Sequence, residues 1–235
     1  MNICKKCQTE FNGDFCSNCG FPFKLKPING KYIFDETRSV FNLEKGILFT
    51  VKNLFIRPGP TVREFINEDR TKLVKPILFL ILCTLVFTLA QQFLDFKSEF
   101  TNFQGDSIFK KIFDWLSKNY GYSNIIMAVP IAIWTKIFFR KQDYNYYQIF
   151  TILSYYIGVS VLIQTIFGIV NGITHLKVVQ IGFIIGSIYV AWAIGQFFER
   201  PKRWNYLKGF LSYFLGAITF VFLVISIGHI AMKIS

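Results

Sequence analysis

With 235 residues, 52% hydrophobic and 18% aromatic but only 17% charged, the chain is too apolar for a water-soluble domain, which carries about a quarter charged residues. Stretches of about twenty residues without charge exclude an enlarged soluble core and point to membrane helices. The net charge of +12 is open to nucleic acid, anionic lipid or membrane topology, and its placement along the chain decides among them.

The chain opens on "CKKCQTEFNGDFCSNCG", residues 4–20, in which Cys4, Cys7, Cys16 and Cys19 form two Cys-x-x-Cys pairs. Four thiolates at this spacing suit a closed, tetrahedral, structural Zn²⁺ site, so residues 1–23 read as a zinc ribbon. Asn12-Gly13 is a hairpin signal expected to fold the chain back and bring the pairs together. Gly20 gives the backbone freedom to wrap the metal. Phe11 and Phe15 are the expected apolar cover, so the metal supplies most of the folding energy. Two disulfides, a redox pair or iron are the alternatives. Disulfides need an oxidising compartment, whereas charge placement puts this end in the cytosol. A redox pair needs one exposed thiol pair of low pKa, not two symmetric ones. Lys5 and Lys6 balance Glu10 and Asp14, so four thiolates plus Zn²⁺ leave the ribbon acidic, which argues against nucleic acid. No signal peptide is read here, because the segment has no continuous apolar run.

Residues 24–37 read as a linker. Residues 38–75 form an amphipathic and basic juxtamembrane segment. Within it, "SVFNLEKGILFTVKNLFI" places Val40, Leu43, Ile47, Val51 and Leu54 on one helical face, expected to lie on the inner leaflet or else to pack on the cytosolic face of the bundle. Pro58-Gly59-Pro60 must end that helix. Thr61 is then expected to cap a short helix with Glu64 three residues on. Arg57, Arg63 and Arg70 are candidate contacts for lipid phosphate or a partner.

Residues 76–235 read as a five-helix transmembrane domain, with spans near Pro76–Leu94, Ser123–Phe139, Gln148–Val170, Val178–Phe198 and Leu207–Met232. The second contains Pro130 and ends near Lys136, a lysine able to snorkel to the interface. Of the 26 Lys and Arg, 20 fall in residues 1–75 and in the loops after the second and fourth spans, and 6 fall on the other side. Positive residues mark the cytosolic face, so the expectation is a multi-pass protein of a bacterial cytoplasmic membrane, N-terminus inside and C-terminus outside. The positive excess is then a topology signal and a face for anionic lipid. Tyr144, Tyr146, Tyr147, Trp204 and Tyr206 read as the inner aromatic belt, and Trp115, Tyr120 and Tyr122 as an outer one.

The Cys-x-x-Cys ribbon, the amphipathic stretch, "RPGPTVREFINEDR" and "KPILFL" together resemble the bacterial membrane family catalogued as domain-of-unknown-function family 3667. The resemblance rests mainly on residues 1–80. In that family the Pro-Gly…Arg-Glu segment is often followed by Gly-Lys-Arg; here Glu68-Asp69-Arg70 stands there, so only Arg70 carries over. Gln8 follows Cys7 where such ribbons commonly have glycine. The resemblance implies an all-α integral membrane protein with a cytosolic zinc ribbon, and no particular reaction.

Gly168-x-x-x-Gly172 and Gly182-x-x-x-Gly186 are close-packing patterns, for helix contacts within the chain or for a homo-oligomer. Gln164, Asn171, Gln180 and Gln196 are the polar residues expected to pack or to line a path. No Asp or Glu lies deep in a span, which counts against ion-coupled transport. His175 and His229 stand alone, Cys83 reads as a small apolar filler, and no catalytic constellation is visible. The expectation is a non-enzymatic membrane protein whose ribbon docks a cytosolic protein. A permease or channel is the alternative, and a lipid-acting enzyme the least favoured reading.

Overall fold

The computed structural model describes residues 2–23, 29–31, 46–94, 96, 116, 119–198 and 203–234, with the backbone alone for residues 120, 121 and 227–234. Strands β1 (Asn2–Ile3) and β2 (Glu10–Phe11) precede seven helices among these residues: α1 (Ile47–Ile56), α2 (Pro58–Asn67), α3 (Pro76–Leu94), α4 (Tyr120–Phe138), α5 (Tyr146–Thr174), α6 (Val179–Phe197) and α7 (Trp204–Ile234). Residues 38–45 of the expected amphipathic helix, the outer-belt Trp115 and the His229 side chain lie outside the described residues.

Four helices are long and apolar enough to cross a membrane: α3, α5, α6 and the Trp204–Ser226 part of α7. Helix α3 has the bounds expected, those of the other three differ by a few residues, and α5 starts two residues earlier because Asn145 and Gln148 close a capping box ahead of it. The fifth expected span is helix α4. Its apolar Tyr122–Phe138 part is shorter than the other four, with Pro130 inside and Lys136 in the last turn. Lys136 Nζ donates to the Tyr144 carbonyl at 2.6 Å, so its charge turns back to the helix end.

Close approaches give the directions of the five long helices. A Cβ added at Gly158 would meet Phe79, and one at Gly172 would meet Leu94, so α3 and α5 run parallel. Gly182 faces Phe167 and Gly186 faces Ser160, so α6 returns antiparallel to α5. Gly195 lies against Tyr206 and the hydroxyls of Ser187 and Tyr213 are 3.0 Å apart, so α7 runs antiparallel to α6. Lys208 sits over the Phe139 ring and Gly216 faces Ile131, which sets α4 antiparallel to α7. The chain therefore traverses the bundle in alternate directions. Residues 46–75, 139–145, 198 and 203 share one end, where the Phe139 and Phe198 rings stack at 3.7 Å and Tyr144 meets Phe197 at 4.8 Å.

Helices α1 and α2 form a bent hairpin clamped to that end. Arg57 leaves helical geometry (φ −142°), and Pro58-Gly59-Pro60 makes the first turn of α2 rather than a loop. Proline fits there because the first helical N–H has no intrahelical acceptor. Thr61, expected as the cap, instead sits inside the helix with its hydroxyl donating to the Asn53 carbonyl at 3.3 Å. Pro58 has no N–H to offer the Leu54 carbonyl. The Tyr189 hydroxyl of α6 supplies the donor, at 2.8 Å. Tyr155 of α5 donates to the Val74 carbonyl at 2.7 Å, and Tyr156 to that of Pro58 at 3.4 Å. The Val74 N–H goes to the Thr50 hydroxyl at 3.1 Å. Gly59 is so close to α6 that a Cβ there would lie 2.5 Å from the Gln196 carbonyl oxygen.

Tyr189→Phe should therefore lower stability by about 1 kcal/mol, the scale of one hydrogen bond in such a setting. Gly59→Ala should cost more, about 1–3 kcal/mol, by wedging α2 off α6. Thermal unfolding of the detergent-purified chain checks both, and the reverse order would contradict the clamp.

Candidate metal centre and the sites expected in the bundle

The ribbon is built twice on a twelve-residue offset. In the first half Cys4 N–H donates to the Thr9 carbonyl at 3.0 Å and Gln8 N–H to that of Cys4 at 2.9 Å. In the second half Cys16 N–H donates to the Phe21 carbonyl and Gly20 N–H to that of Cys16, both at 2.8 Å. Ile3 pairs with Glu10, and Phe15 with Pro22. Each half thus wraps its own cysteine pair. Strand pairing lies within the halves, so Asn12-Gly13 links two knuckles and is not the tip of a hairpin. Phe11 is buried as expected, but Phe15 is exposed, and Phe21 takes its place beside Cys4 and Cys16.

All four Sγ atoms lie within 4.8 Å of one another. Cys4 and Cys19 are 3.5 Å apart, and Cys7 and Cys16 are 3.6 Å apart, too far for a disulfide bond. Four sulfurs each 2.3 Å from Zn²⁺ at tetrahedral corners stand about 3.8 Å apart, so the cluster fits that ion. Hydrogen bonding with the Thr9 hydroxyl, 3.3 Å from Sγ, and with the Thr9 backbone holds the Cys7 thiol down at about 6. Desolvation pushes Cys19 up to about 12. Cys7 thus offers a ready thiolate, and loading the remaining thiols releases protons.

Gln8 (φ 59°) and Gly20 (φ 68°) occupy equivalent left-handed positions one residue after each second cysteine. Gln8 therefore keeps the knuckle shape, at the cost of a strained backbone. Against the bundle, Lys5 Nζ donates to the Asn67 carbonyl at the C-terminus of α2, at 3.4 Å, a position that favours a cation.

The three arginines are in different circumstances. Arg57 is exposed and pairs with Glu64 at 3.5 Å. Arg63 turns inward: its Nη1 donates to the Gln196 and Phe197 carbonyls at 2.9 and 2.5 Å, capping the C-terminus of α6. Arg70 is half-buried and donates to the Ile66 carbonyl at 3.2 Å.

The four polar candidates in the spans are dispersed. Gln164 is buried, with Nε2 donating to the Ser160 hydroxyl at 3.2 Å where α5 meets α6. The Asn171 amide donates to the Leu176 carbonyl beyond the end of α5. Gln180 is on the exposed side of α6. Gln196, at the opposite end of that helix, accepts from the Gly59 N–H at 2.8 Å. The glycines of both close-packing patterns are used within the chain. Tyr155, Tyr156, Tyr189 and Thr50 were not expected as clamp residues. The signal was available for Tyr189 alone, since Pro58 removes the backbone donor that the Leu54 carbonyl would otherwise take.

Residues 44–88 match the family model described as "Protein of unknown function (DUF3667)". This bears out the resemblance over α1, α2 and most of α3, while the ribbon lies outside the matched residues. No curated protein and no solved structure matches the chain.

Cys16→Ser should abolish stoichiometric zinc in the purified chain, measured by elemental analysis. Gln8→Gly should retain the metal and stabilise the loaded ribbon by about 1 kcal/mol, read from zinc competition, because glycine adopts positive φ without penalty.

Proposed function

We propose that this chain is a non-enzymatic protein of a bacterial cytoplasmic membrane, whose zinc-loaded ribbon docks a cytosolic protein beside the inner leaflet. In this reading α4 completes five spans, with the N-terminus inside and the C-terminus outside. The observation that carries the proposal is the ribbon's own surface. Its described core is Cys4, Phe11, Cys16 and Phe21, whereas Ile3 and Phe15, at equivalent positions of the repeat, are 63% and 64% exposed. Two bulky apolar side chains on a metal-stiffened knob suit contact with another protein. Tethering supports the same reading, because the Lys5 contact holds the knob at the end of the bundle that gathers the basic loops.

A photoreactive residue at Ile3, irradiated in intact cells, should capture one defined protein. Phe15→Ala should keep the zinc and lower that capture about tenfold, as loss of a hot-spot side chain does. Cys16→Ser should abolish it. Capture unchanged in both variants, at normal chain levels, rules the docking role out.

A further inference from the structure

Helix α1 turns an unusual surface outward. Thr50 and Leu54 form its buried strip, flanked by half-buried Val51 and Asn53. The rest of the circumference carries Leu48 at 84% and Ile56 at 66% exposure, with Phe49, Phe55 and a single cation, Lys52. Of the expected apolar face, Leu54 and Val51 pack on the bundle, the second of the two placements expected, whereas Ile47 of the same face is exposed, and the surface turned away from the bundle is itself apolar.

We infer that this outward surface of α1 lies among the acyl chains of the leaflet at the 46–75 end, and that α1 is not a helix resting on a wet membrane surface. The inference rests on the spans crossing a bilayer, and not on what the ribbon binds. Depth is the first argument. Tyr189, which holds the Leu54 carbonyl, lies eight residues before the end of α6, about 12 Å along its axis. Helical side chains lean toward the helix N-terminus, which for α6 is the far side of the membrane. Leu54 therefore sits level with the interior of the span, not beyond its end. Continuity is the second. The Phe55 ring meets Tyr189, which meets Trp192, and Trp192, Ile188, Ile185 and Ile184 form the exposed apolar flank of α6. The surface of α1 thus prolongs a flank that faces lipid. Charge is the third. Lys52 can reach the headgroups along its aliphatic stem, and the Arg57–Glu64 pair lies where the chain turns back toward the end of α6. That arrangement belongs at the boundary of acyl chains and phosphates.

The test places a photoreactive diazirine amino acid at position 48 or 56 of the full-length chain, reconstituted in phosphatidylethanolamine–phosphatidylglycerol vesicles. Leu48 is exposed, so the substitution removes little packing, and an unchanged thermal midpoint verifies the fold. Phospholipid adducts at both positions, attached on acyl carbons and about tenfold above those at exposed Lys31, are expected. Water-quenched products, or adducts to this chain itself, at position 48 would overturn the inference. Partner capture from Ile3 is read in a separate experiment, so either proposal can fail while the other stands.

Discussion

A backbone carbonyl or amide among apolar helices has no water to turn to and must find a protein partner. In this chain that demand is acute at two points. Pro58 cannot satisfy the Leu54 carbonyl, and the Val74 carbonyl lies just ahead of α3. Tyr189 and Tyr155 supply the donors from the neighbouring helices, and Thr50 takes the Val74 amide across the hairpin. Each tyrosine brings a large apolar body and one polar tip, which is what a mostly buried helix needs in order to hold an irregular segment. The rest of the architecture at this end follows. With α2 seated, Gly59 lies directly on α6, Gln196 accepts the Gly59 amide, and Arg63 covers the final carbonyls of α6.

The stretch that matches the family model, residues 44–88, is this hairpin together with most of the first span. Its Gly59, Arg63 and Arg70 act here on neighbouring polar groups, Gly59 and Arg63 at the end of α6 and Arg70 on α2 itself. The segment fastens a helical hairpin to the long apolar helices. The ribbon is stabilised differently. Its described core is four residues with Cys7 beside them, too few to fold a chain of this length unaided. A metal held by the four cysteines would supply there what packing supplies in the bundle, and the two regions meet through Lys5 at the end of α2.

Much of this was legible beforehand. Apolar run length located all five long helices, four of them long and apolar enough to cross a membrane, because the thickness of hydrocarbon sets a minimum length whatever the partners are. Cysteine spacing located the four-cysteine cluster, because tetrahedral thiolate ligation is a local demand. The alternation of basic loops agrees with the antiparallel passage of neighbouring helices. Less legible was anything that depended on a second element. Arg63 reads as a phosphate ligand in isolation, yet a helix end 133 residues away takes its guanidinium. Asn12-Gly13 reads as a hairpin tip, but each half of the ribbon pairs with itself. Thr61 reads as a cap, yet Pro58 starts the helix one turn sooner.

The sequence alone determined which segments are apolar enough to leave water, which thiols can share one ion, and on which side the positive charge accumulates, since each is a property of composition or short spacing. Only the tertiary structure decided which face of α1 is buried, which backbone groups lack a helical partner, and which tyrosines, glutamine and arginine answer them. Those outcomes are set by hydrogen-bond partners lying 81 to 137 residues apart along the chain, a distance over which no local pattern carries information.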